Sequence, residues 1–318
     1  MSSLEPVVKF KPFPLKTCLR YPGGKSKALK KLSEFLPRDI QEFRDPFLGG
    51  GSVPLMVSQN DPNLPVWVND KYFILYNFWV QLQKDGKRLS ETLLNAIPEI
   101  IEKPLEVAKD VPEGVSKDVS KDVLNETNLK KWEDFHDASR DVLANNSAND
   151  FDRAVAFYIV NKTSYSGLTE RGTFSKTTVG NNISKVGIDK LPAYSDIIQN
   201  WKITNQDYSV PMLAKGKDVF VFLDPPYDIK SFLYGGKKGN LHQSFSHEEF
   251  AENVEKCPHR FGITYNVNDW LVERFQNFQQ TQWQIRYSMN HRGEKGSDEN
   301  IKTELYIHNY DLICDIEE

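Results

Sequence analysis

Val219-Phe220-Val221-Phe222-Leu223-Asp224-Pro225-Pro226-Tyr227 sets the frame for the whole chain. The apolar run 219–223, made of β-branched, aromatic and aliphatic residues, reads as a strand buried on both faces. It delivers a carboxylate, a stiff turn and a tyrosine to one spot. Two prolines fix φ and remove two backbone donors, so the carbonyls just ahead of them stay available to a ligand. An Asp-Pro turn alone is equally consistent with plain structure. The strand-end position and the adjacent Tyr227 favour a site for a flat, amino-bearing group.

Outward from this stretch, strand-like runs fall at 42–47, 66–69, 201–204, 218–223, 260–265, 283–289 and 303–309, with helical or turn-rich stretches between most of them. Such alternation predicts an α/β fold built on a sheet with crossover connections. The last two runs are separated by the polar, Gly-containing stretch 290–301 and predict an antiparallel hairpin with a long loop, which makes the sheet mixed. Residues 85–200 break the rhythm with helical and polar patterns and no clear buried strand. They read as a second, mostly helical domain inserted into a first domain formed by 1–84 and 201–318. Within it, the tandem Val-Ser-Lys-Asp repeat at 115–122 is too brief for a solenoid and reads as an exposed loop.

Composition narrows the class. A chain of 318 residues with 39% hydrophobic content can bury a full core. No run reaches the ~18 apolar residues of a membrane span, and residues 1–10 lack the pattern of a secretory signal. Cys18, Cys257 and Cys314 are scattered and odd in number, which fits a reducing compartment and excludes a disulfide framework or zinc module. The protein is expected to be cytoplasmic. The six histidines show no ligand spacing, so they read as surface or core residues and no metal is expected.

Net charge is −4, yet basic residues cluster. Residues 1–31 hold Lys9, Lys11, Lys16, Arg20, Lys25, Lys27, Lys30 and Lys31 against Glu5 alone. Lys230, Tyr234, Lys237 and Lys238 form a second group, and Arg286, Tyr287, His291, Arg292 and Lys295 a third. Such patches can hold phosphates on an acidic protein, or be ordinary solvated surface.

Two further motifs carry chemistry. Asp45-Pro46-Phe47-Leu48-Gly49-Gly50-Gly51-Ser52 follows a strand-like run and precedes a helical one, and its glycines permit a tight turn and close backbone approach to a ligand. Asp70 follows at about the 20-residue spacing at which nucleotide-binding folds place an acid on ribose hydroxyls. Pro54 stands where a third dinucleotide-fingerprint glycine belongs, which favours a nucleoside over a dinucleotide. Arg20-Tyr21-Pro22-Gly23-Gly24-Lys25-Ser26 ends like a P-loop but has Leu19 at the first glycine position. It reads either as a plain turn before a helix starting near Ser26 or as a holder of a carboxylate such as an amino-acid moiety.

The order of these three motifs resembles the DNA adenine methylase family, the alpha-class methyltransferases acting on adenine N6. That resemblance implies a Rossmann-like methyltransferase fold that binds S-adenosyl-L-methionine through Tyr21, Gly23, Lys25, Phe47, Gly49, Gly51 and Ser52. Asp70 would take the ribose and Asp207 would lie near the cofactor's adenine. Asp224, Pro225, Pro226 and Tyr227 would be catalytic, with Asp224 and the Pro225 carbonyl accepting the N6 hydrogens of a base flipped out of duplex DNA.

Asn161-Lys162-Thr163-Ser164-Tyr165-Ser166-Gly167-Leu168-Thr169-Glu170-Arg171-Gly172-Thr173-Phe174 is similar to the family's target-reading segment. By that resemblance Arg20, Tyr165, Ser166, Leu168 and Arg171 contact DNA, and 85–200 is the target-recognition domain. Ser166 replaces the usual Asn, and Glu170-Arg171-Gly172 replaces a stretch that begins with a specificity Arg in GATC-specific members, which argues against GATC as the target. Arg20 suits a guanine edge. Tyr165 reads either as a residue filling the flipped base's place or as a core tyrosine. Residues 304–309 resemble a terminal strand of the family. The expected partners are double-stranded DNA and a cognate restriction endonuclease, with the enzyme a monomer away from membranes. Rival readings keep the site but change the acceptor to cytosine N4 or RNA, or keep the pocket without catalysis.

Overall fold

The computed structural model describes residues 15–97, 117–167, 172–176, 182–226, 245–267, 269–286 and 301–312. Among these, strands β1 (Glu42–Asp45), β2 (Val66–Asn69), β3 (Trp201–Thr204), β4 (Val219–Leu223), β5 (Arg260–Asn266), β6 (Gln279–Arg286) and β7 (Ile301–His308) form one sheet in the order β3-β2-β1-β4-β5-β7-β6. The pairs β1/β2, β2/β3, β1/β4 and β4/β5 are parallel. β7 inserts antiparallel between β5 and β6, with Ile263 opposite Ile307 and Thr281 opposite Tyr306. The expected α/β fold with a mixed sheet and a terminal antiparallel pair is what forms.

β4 stands at the centre, and all its residues are buried. Its period-2 alternation splits the core into two layers. Phe220 and Phe222 join Phe43, Val66 and Val68 on one face. Val219, Val221 and Leu223 join Ile263, Leu305 and Ile307 on the other. The first face is covered by α1 (Leu29–Phe35), α2 (Ser52–Asn60) and α3 (Phe73–Ala96), the second by α8 (Ser209–Leu213), α9 (His247–Glu255) and α10 (Asp269–Arg274). Phe43, Phe220 and Phe222 are at most 1% exposed, and each contributes roughly 1.5–3 kcal/mol by leaving water. This two-sided cover explains why the central strands read as continuous apolar runs.

Between β2 and β3 the described elements are helices, with a 3-10 turn at Tyr165–Gly167. α3 breaks at Asp85, whose backbone is extended (φ −159°, ψ 76°). The Asp85 carboxylate accepts from the Arg88 N–H at 2.8 Å and so caps the second half of the helix. α3 packs on both α5 (Asp150–Thr163) and α7 (Leu191–Ile197), with Asn77 donating to the Asp150 carbonyl at 2.6 Å and Gly86 lying against Ser195. α4 (Lys117–Ala144) lies against α5, and the four-residue α6 (Lys185–Ile188) precedes α7.

Two expectations change here. Residues 117–122 of the tandem repeat are the first turns of α4 and not a loop. A four-residue repeat without Gly or Pro nearly matches the 3.6-residue helical period, so the same apolar type returns once per turn. β6 also starts at Gln279, four residues before the apolar signal at Trp283. Its first residues, Gln279 to Gln282, lie on the sheet edge and are partly solvated, so nothing selects apolar side chains there. Among the described residues, no helix is long and apolar enough to cross a membrane.

Candidate active site

The chain runs outward from β1 to β3 and then returns to the other side of β1 as β4, which puts the topological switch point between β1 and β4. In open α/β sheets the crevice at that point, beyond the strands' carboxyl ends, is where ligands bind. Here it is a cavity of about 270 Å³. Its lining brings together Tyr21, Gly23 and Lys25, the turn from Phe47 to Ser52, Asp70 after β2, Asp207 after β3, and Asp224, Pro225 and Pro226 after β4. Five separate parts of the sequence thus converge because each sits at the same end of the sheet. Tyr227, the remaining residue of the motif after β4, lies outside the described residues.

The glycine turn is built by close approach. Gly49 and Gly51 have φ of 49° and 67°, in the left-handed region that disfavours a side chain. A Cβ on Gly49 would lie 2.9 Å from Tyr21 Cε1, and one on Gly51 would lie 2.8 Å from Trp79 Cζ2. The Trp79 indole N–H donates to the Gly49 carbonyl at 3.2 Å, locking the turn from below. Asp70 holds it from the side, because its carboxylate accepts from the Gly49 N–H and the Tyr72 N–H, each at 2.9 Å. Burial pushes the Asp70 carboxyl up to about 6, although both hydrogen bonds pull the other way. Asn69, fully buried, donates to the Pro46 and Gln206 carbonyls and ties the ends of β1, β2 and β3 together.

Charge balance in the crevice is set by a buried lysine. Lys25 opens a 3-10 turn (Lys25–Lys27), with α1 following at Leu29, so the helix expected near Ser26 begins as a tighter turn. The Lys25 ammonium lies 2.7 Å from Asp224 Oδ1 and donates to the Gly23 carbonyl at 3.1 Å. The Thr264 hydroxyl also donates to Asp224 Oδ1, at 2.8 Å. Asp45, 2% exposed, accepts from the Phe47 N–H at 3.1 Å. Burial holds its carboxyl well above the usual range, and the neighbouring Asp224 and Asp70 charges add to the effect. Asp207 behaves differently. Partial burial raises it, but hydrogen bonds from Ser209 and Lys71 prevail and hold it below the usual value.

An aromatic wall closes one side. Phe47 stacks on Tyr208 with centroids 5.2 Å apart and meets Phe245 and Phe250 edge-on. Phe245, Ser246 and Glu249 line the cavity and were not anticipated from sequence. A signal existed: Ser246-His247-Glu248-Glu249 has the form of a capping box, and the Ser246 hydroxyl does accept from the Glu249 N–H at 3.1 Å. Thr264 and Asn69 carried no such mark.

Arg20 adjoins this cavity through Tyr21 and is joined to the 161–174 segment. Asn161 accepts from the Arg20 N–H at 2.9 Å and donates to the Arg20 carbonyl at 2.7 Å and the Gly167 carbonyl at 3.2 Å. The Arg20 guanidinium donates to the Ser164 carbonyl at 2.9 Å. Gly167 has φ 74°, and a Cβ there would collide with the Arg20 carbonyl. Tyr165 is 58% exposed, so it is no core tyrosine. Ser166 lies in the 3-10 turn beside it; its side chain, Leu168 and Arg171 are outside the described residues, as are 230–238 and 287–295 of the basic stretches. Among the described residues no cluster of His, Cys, Asp and Glu has the makings of a metal site.

This chain belongs to the D12 class of N6 adenine-specific DNA methyltransferases, whose family model matches residues 21–289. The adenine-N6 activity inferred from the motifs is the activity of that family, and the rival acceptors are set aside. Among particular proteins, it is 25% identical over 315 residues to the type II methyltransferase M.MjaIII of Methanocaldococcus jannaschii, covering 93% of this chain and 99% of the relative. It is 24% identical over 310 residues to the type II methyltransferase M.CviBI of Paramecium bursaria Chlorella virus NC1A, covering 93% and 100%.

Proposed function

We propose that the crevice between β1 and β4 binds S-adenosyl-L-methionine beside an adenine flipped out of duplex DNA, and that Asp224 orients the N6 amino group for direct methyl transfer. The observation that carries this reading is the convergence of the glycine turn, Asp70 and Asp224 on one cavity. The residues suit the cofactor: a turn that Cβ atoms would fill offers its backbone at close range, and Asp70 retains acceptor capacity for ribose hydroxyls. When bound, the cofactor supplies an electrophilic methyl group on a positively charged sulfur.

The protein's own task is to prepare the nitrogen. An adenine N6 lone pair is delocalised into the ring, so the amino group must be held with its hydrogens engaged as the nitrogen becomes tetrahedral. Lys25 and Thr264 both reach Asp224 Oδ1, which leaves Oδ2 to accept one N6 hydrogen. The Pro225 carbonyl accepts the other, and Tyr227 stacks on the base. The Lys25 ammonium and the Thr264 hydroxyl hold the Asp224 carboxyl in place, so that it faces the positive charge developing on nitrogen. Catalysis is then orientation plus electrostatic stabilisation.

In this reading 1–84 and 201–318 form the catalytic domain and 85–200 the target-recognition domain. Arg20, Tyr165, Ser166, Leu168 and Arg171 contact the duplex. Phe47, Ser52, Tyr21, Gly23 and Asp207 complete the cofactor site. The enzyme acts as a cytoplasmic monomer, and the type II designation of both relatives supports a role as the modification partner of a restriction endonuclease. The test is Asp224→Asn, which keeps shape and removes the charge. Tritiated methyl transfer to duplex DNA should fall by about 100- to 1,000-fold, the scale of losing one oriented electrostatic group. Cofactor affinity by calorimetry should stay within about twofold, and undiminished turnover would dismiss the mechanism.

A further inference from the structure

A buried histidine outside the cavity links α4 to the segment expected to read DNA. His136 is 0% exposed. Its Nδ1 lies 2.7 Å from the Thr163 hydroxyl at the end of α5, and its Nε2 lies 3.2 Å from the Gly172 carbonyl on the far limb of the 165–174 segment. The base of that segment is closed by Ser164 bridging Phe174, by the Tyr165 N–H donating to the Thr173 carbonyl at 3.3 Å and by the Ser175 N–H donating to the Thr163 carbonyl at 3.0 Å. The Phe174 ring packs on the imidazole at 5.8 Å.

Chemistry fixes the tautomer. A carbonyl only accepts, so the hydrogen on the imidazole must be at Nε2, pointing at Gly172. The Thr163 hydroxyl has a single hydrogen, for which Nδ1 at 2.7 Å and the Ile159 carbonyl at 2.8 Å compete, and the neutral imidazole draws it to Nδ1. Burial lowers the imidazole's proton affinity and favours this neutral form. The two ring nitrogens thus reach two different places, the end of α5 and the Gly172 limb.

We propose that His136 is a positioning residue for target recognition: its imidazole clips the Gly172 limb to the end of α5 and so fixes how Tyr165 and its neighbours meet the duplex. The proposal rests on the reading that 165–174 contacts DNA.

The test first identifies the target sequence by sequencing modified adenines in DNA from an expressing host. His136→Leu and His136→Gln are then compared with wild type on a cognate duplex and on duplexes altered at one base pair. Losing the bond to Gly172 should raise KM for DNA and lower discrimination by about 5- to 10-fold, the worth of one hydrogen bond. kcat on the cognate duplex at saturation and cofactor affinity should hold. Glutamine restores the donor to Gly172 and should recover most of the loss, which simple loss of packing would not predict.

Tyr165→Ala separates the two failures. If it weakens DNA binding while His136→Leu leaves KM and discrimination unchanged, the clip is wrong and the reading of the segment survives. If both variants behave as wild type, the reading falls and the proposal with it. Should the leucine variant fail to fold, Thr163→Val loosens the same clip from its other end. A raised KM with intact cofactor affinity would then support the proposal, and an unchanged KM would overturn it.

Discussion

Replacing Asp224 by alanine removes more than an acceptor for the base. Asp224 Oδ1 lies 2.7 Å from the Lys25 ammonium, and that lysine side chain is 3% exposed. Deleting one partner of a buried ion pair costs about 3–5 kcal/mol, because the remaining charge stays in a low-dielectric setting. Two features reduce the figure here: the Asp224 side chain is 20% exposed, and the Gly23 carbonyl at 3.1 Å continues to accept from Lys25. The expected loss is about 2–3 kcal/mol, or roughly 3–5 °C in Tm for a chain of this size. Lys25→Met removes the charge and keeps an apolar stem, so the double variant Lys25→Met/Asp224→Ala should recover most of the lost stability. Thermal unfolding of the four proteins completes a double-mutant cycle with a coupling of about 1.5–2.5 kcal/mol. Tritiated methyl transfer, run on the same samples, should be absent from both Asp224 variants, which separates stability from chemistry. If the single and double Asp224 variants melt within about 1 °C of each other, the charge-compensation argument is refuted.

Two further outcomes follow from the glycine turn and its acid. The folded Asp70 carboxyl titrates near 6, above its ordinary 3.8. Its proton uptake therefore favours the folded state fully below pH 3.8 and is lost as pH rises through 6, so the ligand-free protein loses stability over that window. Cofactor affinity should run the other way and strengthen from pH 5 to 7 as the carboxylate forms; Asp70→Asn should flatten this trend in calorimetric titrations, and an unaltered pH profile would exclude Asp70 from the ribose site. Gly51→Ala forces a side chain into φ 67° and against the buried Trp79 ring. A loss of about 2–4 kcal/mol is expected from strain and overpacking together. A Tm equal to wild type would mean that the turn adapts freely.

What the sequence revealed depended on how far each signal reaches. β4 was legible because a strand covered on both faces needs apolar residues at every position, and the glycines were legible because positive φ selects them locally. Asp70 was found by spacing, since one β-α-β unit fixes the separation of consecutive strand ends. The start of β6 was hidden because an edge strand can carry Gln279, Gln280 and Gln282 without penalty. The repeat at 115–122 misled because its polarity spoke more loudly than its near-helical period. Lys25 looked like a ligand holder, and its pairing with Asp224 depends on two distant segments meeting, which no local pattern records. His136 was read as an ordinary surface or core residue for the same reason. Only the folded arrangement brings Gly172 within its reach.

The hydrogen bonds between Asn161 and Arg20 span 141 positions and join the helices between β2 and β3 to the segment that lines the cavity at Tyr21. If 85–200 reads the target as proposed, recognition is consequently not a cassette that could be traded between relatives by cutting at 85 and 200. A chimera would have to carry residues 20 and 161 from the same parent, together with the glycine at 167 that lets their backbones meet. On that reading, evolution toward a new target is constrained in the same way, because a change on one side of this seam calls for an answering change on the other.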